Sequence, residues 1–102
     1  MTTLLAAPAL RFEAGPKAGR RYEIGAALRI GRHPYNEVSL PDAAVSRYHC
    51  WITSNEDGIF LEDLGSSNGT FVNGIRVRPK RALRPGDRVR IGKTEFLLVE
   101  EE

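Results

Sequence analysis

Cysteine, histidine and long apolar runs are scarce in this sequence, and each scarcity excludes a class of protein. Cys50 is the only cysteine among 102 residues, which rules out an internal disulfide framework and a zinc site built from cysteines. His33 and His49 are the only histidines, so we expect neither a metal nor any other cofactor. No apolar run is long enough to span a bilayer, and no basic segment precedes the short apolar run of residues 1–10. We therefore expect a reduced, cytoplasmic protein with no membrane span and no signal peptide.

Helical periodicity is also missing. Apolar residues recur at every second position or in short runs, and ten glycines and six prolines interrupt them. Breaks at this spacing are typical of an all-β sandwich or barrel. The predicted strands are 10–13, 21–24, 28–30, 38–40, 48–53, 59–64, 71–72, 75–77, 88–91 and 94–99.

Two turns can be predicted from their residue types. Asn73-Gly74 separates two β-prone runs, and a type I′ hairpin turn needs positive φ at both of its central positions. Pro85-Gly86-Asp87 precedes the alternating segment 88–91, and proline fixes φ at the start of a reverse turn. Both turns support an antiparallel β architecture.

Positive charge is concentrated in residues 76–90, which we call the basic segment. It contains seven arginines and lysines and one acidic residue, whereas the rest of the chain is net acidic. Nucleic-acid binding is therefore one alternative function. The basic segment contains no aromatic residue on which bases could stack, so we expect no specific nucleic-acid partner and interpret its charges as a solvated face away from any binding site.

Three short segments outside the strand interiors carry the side chains that could bind a ligand. They are Gly31-Arg32, Ser46–His49 and Ser66–Thr70. Arginine supplies forked donors and a permanent charge, and serine hydroxyls and backbone N–H groups complete a cradle for an anion. These residue types favour recognition of a phosphate over bond cleavage.

An enzymatic alternative would use Ser46 or Ser67 with His49 and Asp63 as a catalytic triad. The three segments contain no pair of carboxylates, and a triad requires a geometry that residue types alone do not give. We therefore expect no enzymatic activity, and we expect His49 to be structural.

Four motifs, taken together in order and spacing, resemble the forkhead-associated (FHA) domain. They are Gly31-Arg32, Asn36-Glu37-Val38-x-Leu40, Val45-Ser46-Arg47-x-His49, and the run from Asp63 to Gly74 that contains Ser67-Asn68-Gly69-Thr70. The later run from Leu83 to Gly92 is also similar to that family. Each motif alone is weak, but their combination is specific.

The resemblance implies an all-β sandwich of about eleven strands with binding loops at one end. It implies a single domain over residues 1–102, with a core of about 8–99. It also implies a phosphothreonine-peptide recognition module of Ser/Thr kinase signalling, a class that reads phosphate with arginine clusters. The expected partner is a phosphothreonine-containing protein, either a Ser/Thr kinase or its substrate. Simple up-and-down strand order would send alternate loops to opposite ends, so loop convergence is implied by the resemblance alone.

The resemblance also assigns roles to individual residues. Arg32 would supply the main charge for the phosphate, with further contacts from Ser46, Arg47 and Ser67, and Asn68 would hydrogen-bond the peptide backbone. The residues expected to support this site are Gly31, His49, Asp63, Gly69, Thr70, Asn73 and Gly74, and the resemblance implies that Gly31, Gly69, Asn73 and Gly74 are turn-formers. A module that binds partners without phosphate stays open as an alternative, and so does binding of the chain's own Thr2 or Thr3 after phosphorylation.

Overall fold

The computed structural model describes residues 7–101, and this part of the chain contains strands and no helix. The strands are β1 (Ala7–Ala14), β2 (Arg21–Glu23), β3 (Ala27–Gly31), β4 (Val38–Ser39), β5 (Cys50–Asn55), β6 (Gly58–Asp63), β7 (Phe71–Val72), β8 (Ile75–Arg76), β9 (Lys80–Leu83), β10 (Arg88–Ile91) and β11 (Thr94–Glu101). The expected all-β fold of eleven strands is therefore confirmed.

The strands form two sheets that enclose one apolar core. The larger sheet has the order β2-β1-β11-β10-β7-β8, and the smaller sheet has the order β4-β3-β5-β6-β9. Alternating burial turns one side of each strand inward, so in β10 Val89 and Ile91 are buried while Arg88 and Arg90 are exposed. Phe12 stacks on Phe96 at 4.9 Å between ring centroids in the core. Ile30, Ile52 and Leu61 of the smaller sheet belong to the same core, so both sheets build the sandwich predicted from the period-two pattern.

A short parallel strand explains how successive loops reach the same end of the sandwich. β4 has only two residues and pairs parallel with β3, placing Ile30 beside Val38 and Gly31 beside Ser39. Both the β3–β4 loop (residues 32–37) and the β4–β5 loop (residues 40–49) therefore lie beyond the last residue of β3. The β5–β6 hairpin then crosses the sheet and returns, which brings the β6–β7 loop (residues 64–70) to the same place, here called the loop end.

Each predicted strand corresponds to an observed strand whose ends differ by up to three residues, and one observed strand was missed. β9 was not predicted, because residues 80–83 carry two cations and only one large apolar side chain, Leu83. β5 begins at Cys50, two residues later than predicted, since Tyr48 and His49 belong to the loop. The predicted Asn73-Gly74 turn is confirmed, with φ of 51° and 83° at these two positions.

Two sequence expectations concern membrane spans and metal sites. None of residues 7–101 lies in a helix that could cross a membrane. Within the same range, no three His, Cys, Asp or Glu side chains come together as a metal site requires. Cys50 is fully buried and packs in the core as a small apolar residue, and this burial raises the pKa of its thiol. Thr2 and Thr3 lie outside the described residues.

Candidate functional site

Hydrogen bonds join the three loops at the loop end. The backbone N–H of Arg32 donates to the Ser46 carbonyl at 3.0 Å, linking the β3–β4 and β4–β5 loops. The backbone N–H of Ser67 donates to the Ser46 hydroxyl at 3.2 Å, and the Asn68 side-chain amide donates to the Ala44 carbonyl at 2.8 Å. The three segments singled out in the sequence therefore form one surface.

Arg32 is anchored in a way that leaves most of its guanidinium available. Its Nε donates to the Val45 carbonyl at 3.1 Å, which fixes the direction of the side chain. Among residues 7–101, no carboxylate forms an ion pair with Arg32 or with the nearby Arg47, and both arginines are exposed. Two forked cations therefore face solvent at the loop end, as an anion site needs.

The small polar side chains around these arginines also keep hydrogen-bonding capacity. Ser46 is half-buried, and its hydroxyl accepts from Ser67 while its own proton stays free to donate. Ser67 and Asn68 are exposed. Asn68 uses one amide hydrogen on Ala44, and its second hydrogen and its carbonyl oxygen stay available to a ligand.

His49 is buried beneath this surface and braces two of the loops. The backbone N–H of Ser46 donates to Nδ1 at 3.1 Å, and Nε2–H donates to the Gly69 carbonyl at 2.9 Å. This pattern requires the neutral ring. Burial lowers the pKa of His49, although the bond to Gly69 and the charges of Asp63 and Asp42 oppose that shift. His49 therefore holds Ser46 in place and presents no group to solvent.

The β6–β7 loop is folded around the carboxylate of Asp63. Oδ1 accepts from the hydroxyls of Ser66 at 2.6 Å and Thr70 at 2.7 Å, and Oδ2 accepts from the backbone N–H groups of Gly65 and Ser66. Burial raises the pKa of Asp63, but the hydrogen bonds from Ser66 and Thr70 together lower it by more, so the net shift is downward. Ser66 also accepts from the Gly69 N–H, so it completes the loop; sequence reasoning did not assign it this role.

Gly31 allows the β4–β5 loop to approach β3 closely. A Cβ at this position would collide with the Arg47 carbonyl oxygen and would lie 2.9 Å from the side-chain nitrogen of Asn36. That nitrogen donates to the carbonyls of His33 and Arg47 at 2.7 and 2.8 Å. Gly31 is thus required for space and not for a turn, which corrects its interpretation as a turn-former. Asn36 is a supporting residue that the sequence motif contained but did not explain.

Asn73 and Gly74 lie away from this site, contrary to their expected supporting role. They form the β7–β8 turn, and β7 leads away from the loop end. Asn73 Nδ2 donates to Asp87 Oδ1 at 3.0 Å, and its Oδ1 accepts from the Arg88 N–H. Because Asp87 lies in the β9–β10 turn and Arg88 begins β10, the Asn-Gly pair stabilises the opposite end of the larger sheet.

Part of the basic segment reaches the loop end, which also differs from expectation. Gly69 has a φ of +91°, and a Cβ there would lie 3.0 Å from Nε of Arg76. Arg76 therefore packs against the β6–β7 loop, and Arg78 lies in the same region of the surface. Both arginines are exposed, as expected of a solvated face, but they lie beside the β6–β7 loop.

Three aromatic rings flank the arginines of the site. His33 stacks on Tyr48 at 5.3 Å between ring centroids and meets Tyr35 edge-on at 4.9 Å. Tyr35 and Tyr48 are exposed, with 77% and 44% of their surface accessible. Sequence reasoning missed this cluster, because its members are spread over two loops and show no pattern.

The catalytic triad considered from the sequence does not form. Both ring nitrogens of His49 are bonded to backbone groups, so neither reaches the hydroxyl of Ser46 or Ser67. The Asp63 carboxylate is likewise occupied by the hydroxyls of Ser66 and Thr70 and by two backbone amides, and it forms no hydrogen bond with the His49 ring. The arrangement can bind an anion, and His49 activates neither Ser46 nor Ser67.

Comparison with known families agrees with this geometry. The family model for the FHA domain matches residues 28–92, more than half of the chain. The chain belongs to the FHA domain family, as the sequence motifs indicated.

Individual relatives match most of the chain. The chain is 40% identical over 86 residues to the oxoglutarate dehydrogenase inhibitor of Corynebacterium efficiens, covering 83% of this chain and 60% of that protein. It matches Mycobacterium tuberculosis EmbR, solved in complex with a low affinity phosphopeptide, with a TM-score of 0.85 and 36% identity, covering 94% of this chain and 25% of that one. An FHA domain from a structural and functional analysis of phosphothreonine-dependent FHA domain interactions has a TM-score of 0.82 and 32% identity, with 94% and 98% coverage. The chain thus spans about 60% of the length of the oxoglutarate dehydrogenase inhibitor.

Proposed function

We propose that this chain is a phosphothreonine-peptide recognition module that mediates phosphorylation-dependent protein–protein interaction in Ser/Thr kinase signalling. Its partner is a phosphothreonine-containing protein, either a Ser/Thr kinase or its substrate. The module acts by binding and not by catalysis, it forms a single domain, and it works in the cytoplasm. Arg32, Ser46, Arg47, Ser67 and Asn68 bind the phosphopeptide.

One observation carries the proposal: five polar side chains lie together at the loop end with donors left over, above His49 and Asp63, whose own hydrogen-bonding groups are occupied. The exposed arginines Arg32 and Arg47 have no carboxylate partner among residues 7–101. A phosphothreonine brings a charge of about −1.5 to −2 and three acceptor oxygens. Hydrogen bonds to charged groups contribute roughly 1.5–3 kcal/mol each, so three or four of them, less the cost of ordering the peptide, correspond to about micromolar affinity.

The similar proteins support the same function. EmbR was solved with a phosphopeptide, and a second FHA domain of similar fold was studied for phosphothreonine-dependent interactions. The name of the oxoglutarate dehydrogenase inhibitor describes regulation of another protein, which is compatible with a non-catalytic module.

Nucleic-acid binding is less well supported, because the basic segment does not form one continuous surface. Lys80 lies over the Phe60 ring at 5.2 Å on the smaller sheet, whereas Arg90 lies over the Phe71 ring at 4.4 Å on the larger sheet. Arg88 is paired with acidic side chains. A backbone-tracking groove would need these charges on one face.

The test is calorimetric titration with a phosphothreonine peptide and its unphosphorylated twin. We expect binding of the first only, and we expect Arg32→Ala to weaken it by about 3 kcal/mol, or roughly a hundredfold, because two charge-assisted bonds are lost. Arg84→Ala is the matched control, since Arg84 is an exposed arginine beyond the far end of β9. Equal binding of the unphosphorylated twin would favour the phosphate-independent alternative and contradict the proposal. So would unchanged affinity in a folded Arg32→Ala variant.

A further inference from the structure

A second cationic feature lies beside the site. A groove of about 400 Å³ runs between the β6–β7 loop and the chain that leaves β8. Gly65 and Ser66 line it from the loop, and Arg76, Val77 and Arg78 line it from the chain after Ile75. We call it the basic groove. None of the five residues assigned to phosphopeptide binding lines it.

The basic groove has a fixed shape, because backbone hydrogen bonds hold both of its sides. The Val77 N–H donates to the Thr70 carbonyl at 2.8 Å, and the Asp63 N–H donates to the Pro79 carbonyl at 2.7 Å. Arg76 packs on Gly69, where even a methyl group would crowd its guanidinium. The two arginines are therefore presented on an ordered backbone, which lowers the entropy lost when a ligand binds.

The charges of the basic groove are available, in contrast to other arginines of this fold. Arg29 is bonded to Glu37 at 2.8 Å, and Arg88 is bonded to Glu13 at 2.9 Å. Within residues 7–101, no acidic side chain pairs with Arg76 or Arg78, and both are exposed.

The one acidic residue that lines the basic groove does not neutralise these arginines. Asp63 accepts four hydrogen bonds from its own loop, from the groups of Gly65, Ser66 and Thr70 described above. Its two oxygens are therefore directed at the loop, and the arginines keep their charge for a ligand.

The basic groove also adjoins the proposed phosphate site through a very short stretch of chain. Ser66 lines the groove while its neighbour Ser67 faces the phosphate site, and Gly69 contacts Arg76 while its neighbour Asn68 bonds to Ala44. A peptide anchored by its phosphothreonine spans about 3.3 Å per residue in extended form, so a nearby side chain of the same peptide can reach the groove.

We propose that the basic groove binds a second anionic group of the same phosphopeptide, through the guanidinium groups of Arg76 and Arg78. This inference rests on the proposed function. The shared chemistry is an oxyanion that arginine can grip through two parallel N–H bonds, and either an Asp or Glu carboxylate or a second phosphate supplies it. The natural ligand is then an acidic or doubly phosphorylated segment around the phosphothreonine.

The experiment scans an alanine-flanked phosphothreonine peptide. One series carries a single Asp at each flanking position in turn, a second carries Asn, and a third carries phosphoserine. The peptides are titrated against the wild type and against Arg76→Gln, Arg78→Gln and the control Arg84→Gln, which removes the same charge from the same segment beyond the far end of β9. We expect Asp to bind roughly two- to five-fold tighter than Asn at one or two adjacent positions, and phosphoserine to bind tighter still. The gain falls in both groove variants, survives Arg84→Gln and shrinks at high salt.

The outcomes separate the subsite from the function on which it rests. If the alanine-flanked peptide binds but neither Asp nor phosphoserine gives a gain at any position, or the gain persists in both groove variants, the subsite is overturned and the proposed function stands. An equal loss of the gain in Arg84→Gln would show a general field effect and would also overturn it. If no phosphothreonine peptide binds the wild type, the proposed function fails and the subsite fails with it. A gain from phosphoserine without one from Asp assigns the groove to a second phosphate.

Discussion

Replacing His49 with alanine removes the brace under the binding surface, and the structure allows its cost to be worked out. The side chain is fully buried and bonds to the Ser46 N–H and the Gly69 carbonyl, so His49→Ala leaves a donor and an acceptor without partners. Each unsatisfied group costs about 1–3 kcal/mol, and the space left by the ring adds to this. We expect the free energy of unfolding to fall by about 3–5 kcal/mol, and the melting temperature by roughly 15 °C or more.

Urea denaturation followed by tryptophan fluorescence measures this loss directly. Trp51, the only tryptophan, is half-buried in β5 and bonded to Glu62, so its emission reports the integrity of the smaller sheet. His33→Ala is the matched control: that ring is half-buried and accepts one bond, from the Tyr35 N–H. We expect its cost to be about 1 kcal/mol or less. A loss for His49→Ala no greater than for His33→Ala would refute the brace.

Two further predictions concern the same layer of supporting residues. Gly31→Ala should destabilise the fold by about 2–4 kcal/mol and weaken phosphopeptide binding, because the new methyl group displaces the Arg47 carbonyl. The control is Gly19→Ala, where the space is empty and only positive φ opposes a side chain. This control should cost about 1–2 kcal/mol and leave the affinity measured by calorimetry unchanged. Equal affinity loss in both variants would contradict the crowding argument. In the folded chain the pKa of His49 lies below its ordinary value of 6.5, so in mild acid the unfolded chain binds more protons than the folded chain. The stability that the neutral ring provides is therefore present above pH 6.5 and is lost as the pH falls below it. The free energy of unfolding from urea denaturation should therefore fall between about pH 6.5 and 5 more steeply in the wild type than in His49→Gln. The limiting difference in slope is about 1.4 kcal/mol per pH unit. Parallel curves would show that His49 does not titrate on unfolding.

The strands were predictable where side-chain alternation or a special turn marks them. β10 and the Asn73-Gly74 turn follow from local residue types alone, since each depends on its own φ preferences and on one inward face. β9 could not be found in this way, because its pairing with β6 is specified by its partner and its own residues are mostly charged. Local sequence therefore predicts elements with a pattern of their own and misses those that neighbours impose.

The residues of the loops were identifiable, but their arrangement was not. Arg32, Ser46 and Ser67 stand out as anion-binding types, yet nothing in their spacing brings them together. Convergence of the loops depends on the parallel pairing of the two-residue β4 with β3, and no hydrophobic pattern in the sequence predicts that pairing. Asn36 and Arg76 were missed for the same reason, since their roles depend on the loops that pack against them.

The division between a buried brace and an exposed rim has a consequence for how this surface can change. The bonds that hold the loops use backbone groups, the buried His49, the half-buried Asp63, and the side chains of Arg32, Ser46 and Asn68. Arg47 and Ser67 use no side-chain bond to keep their position. Substitutions at these two residues can therefore alter which partner is chosen with little penalty in folding, because their side chains contribute to specificity and not to the structure of the loops. Such a surface can be retargeted by evolution, or by a protein engineer, one position at a time.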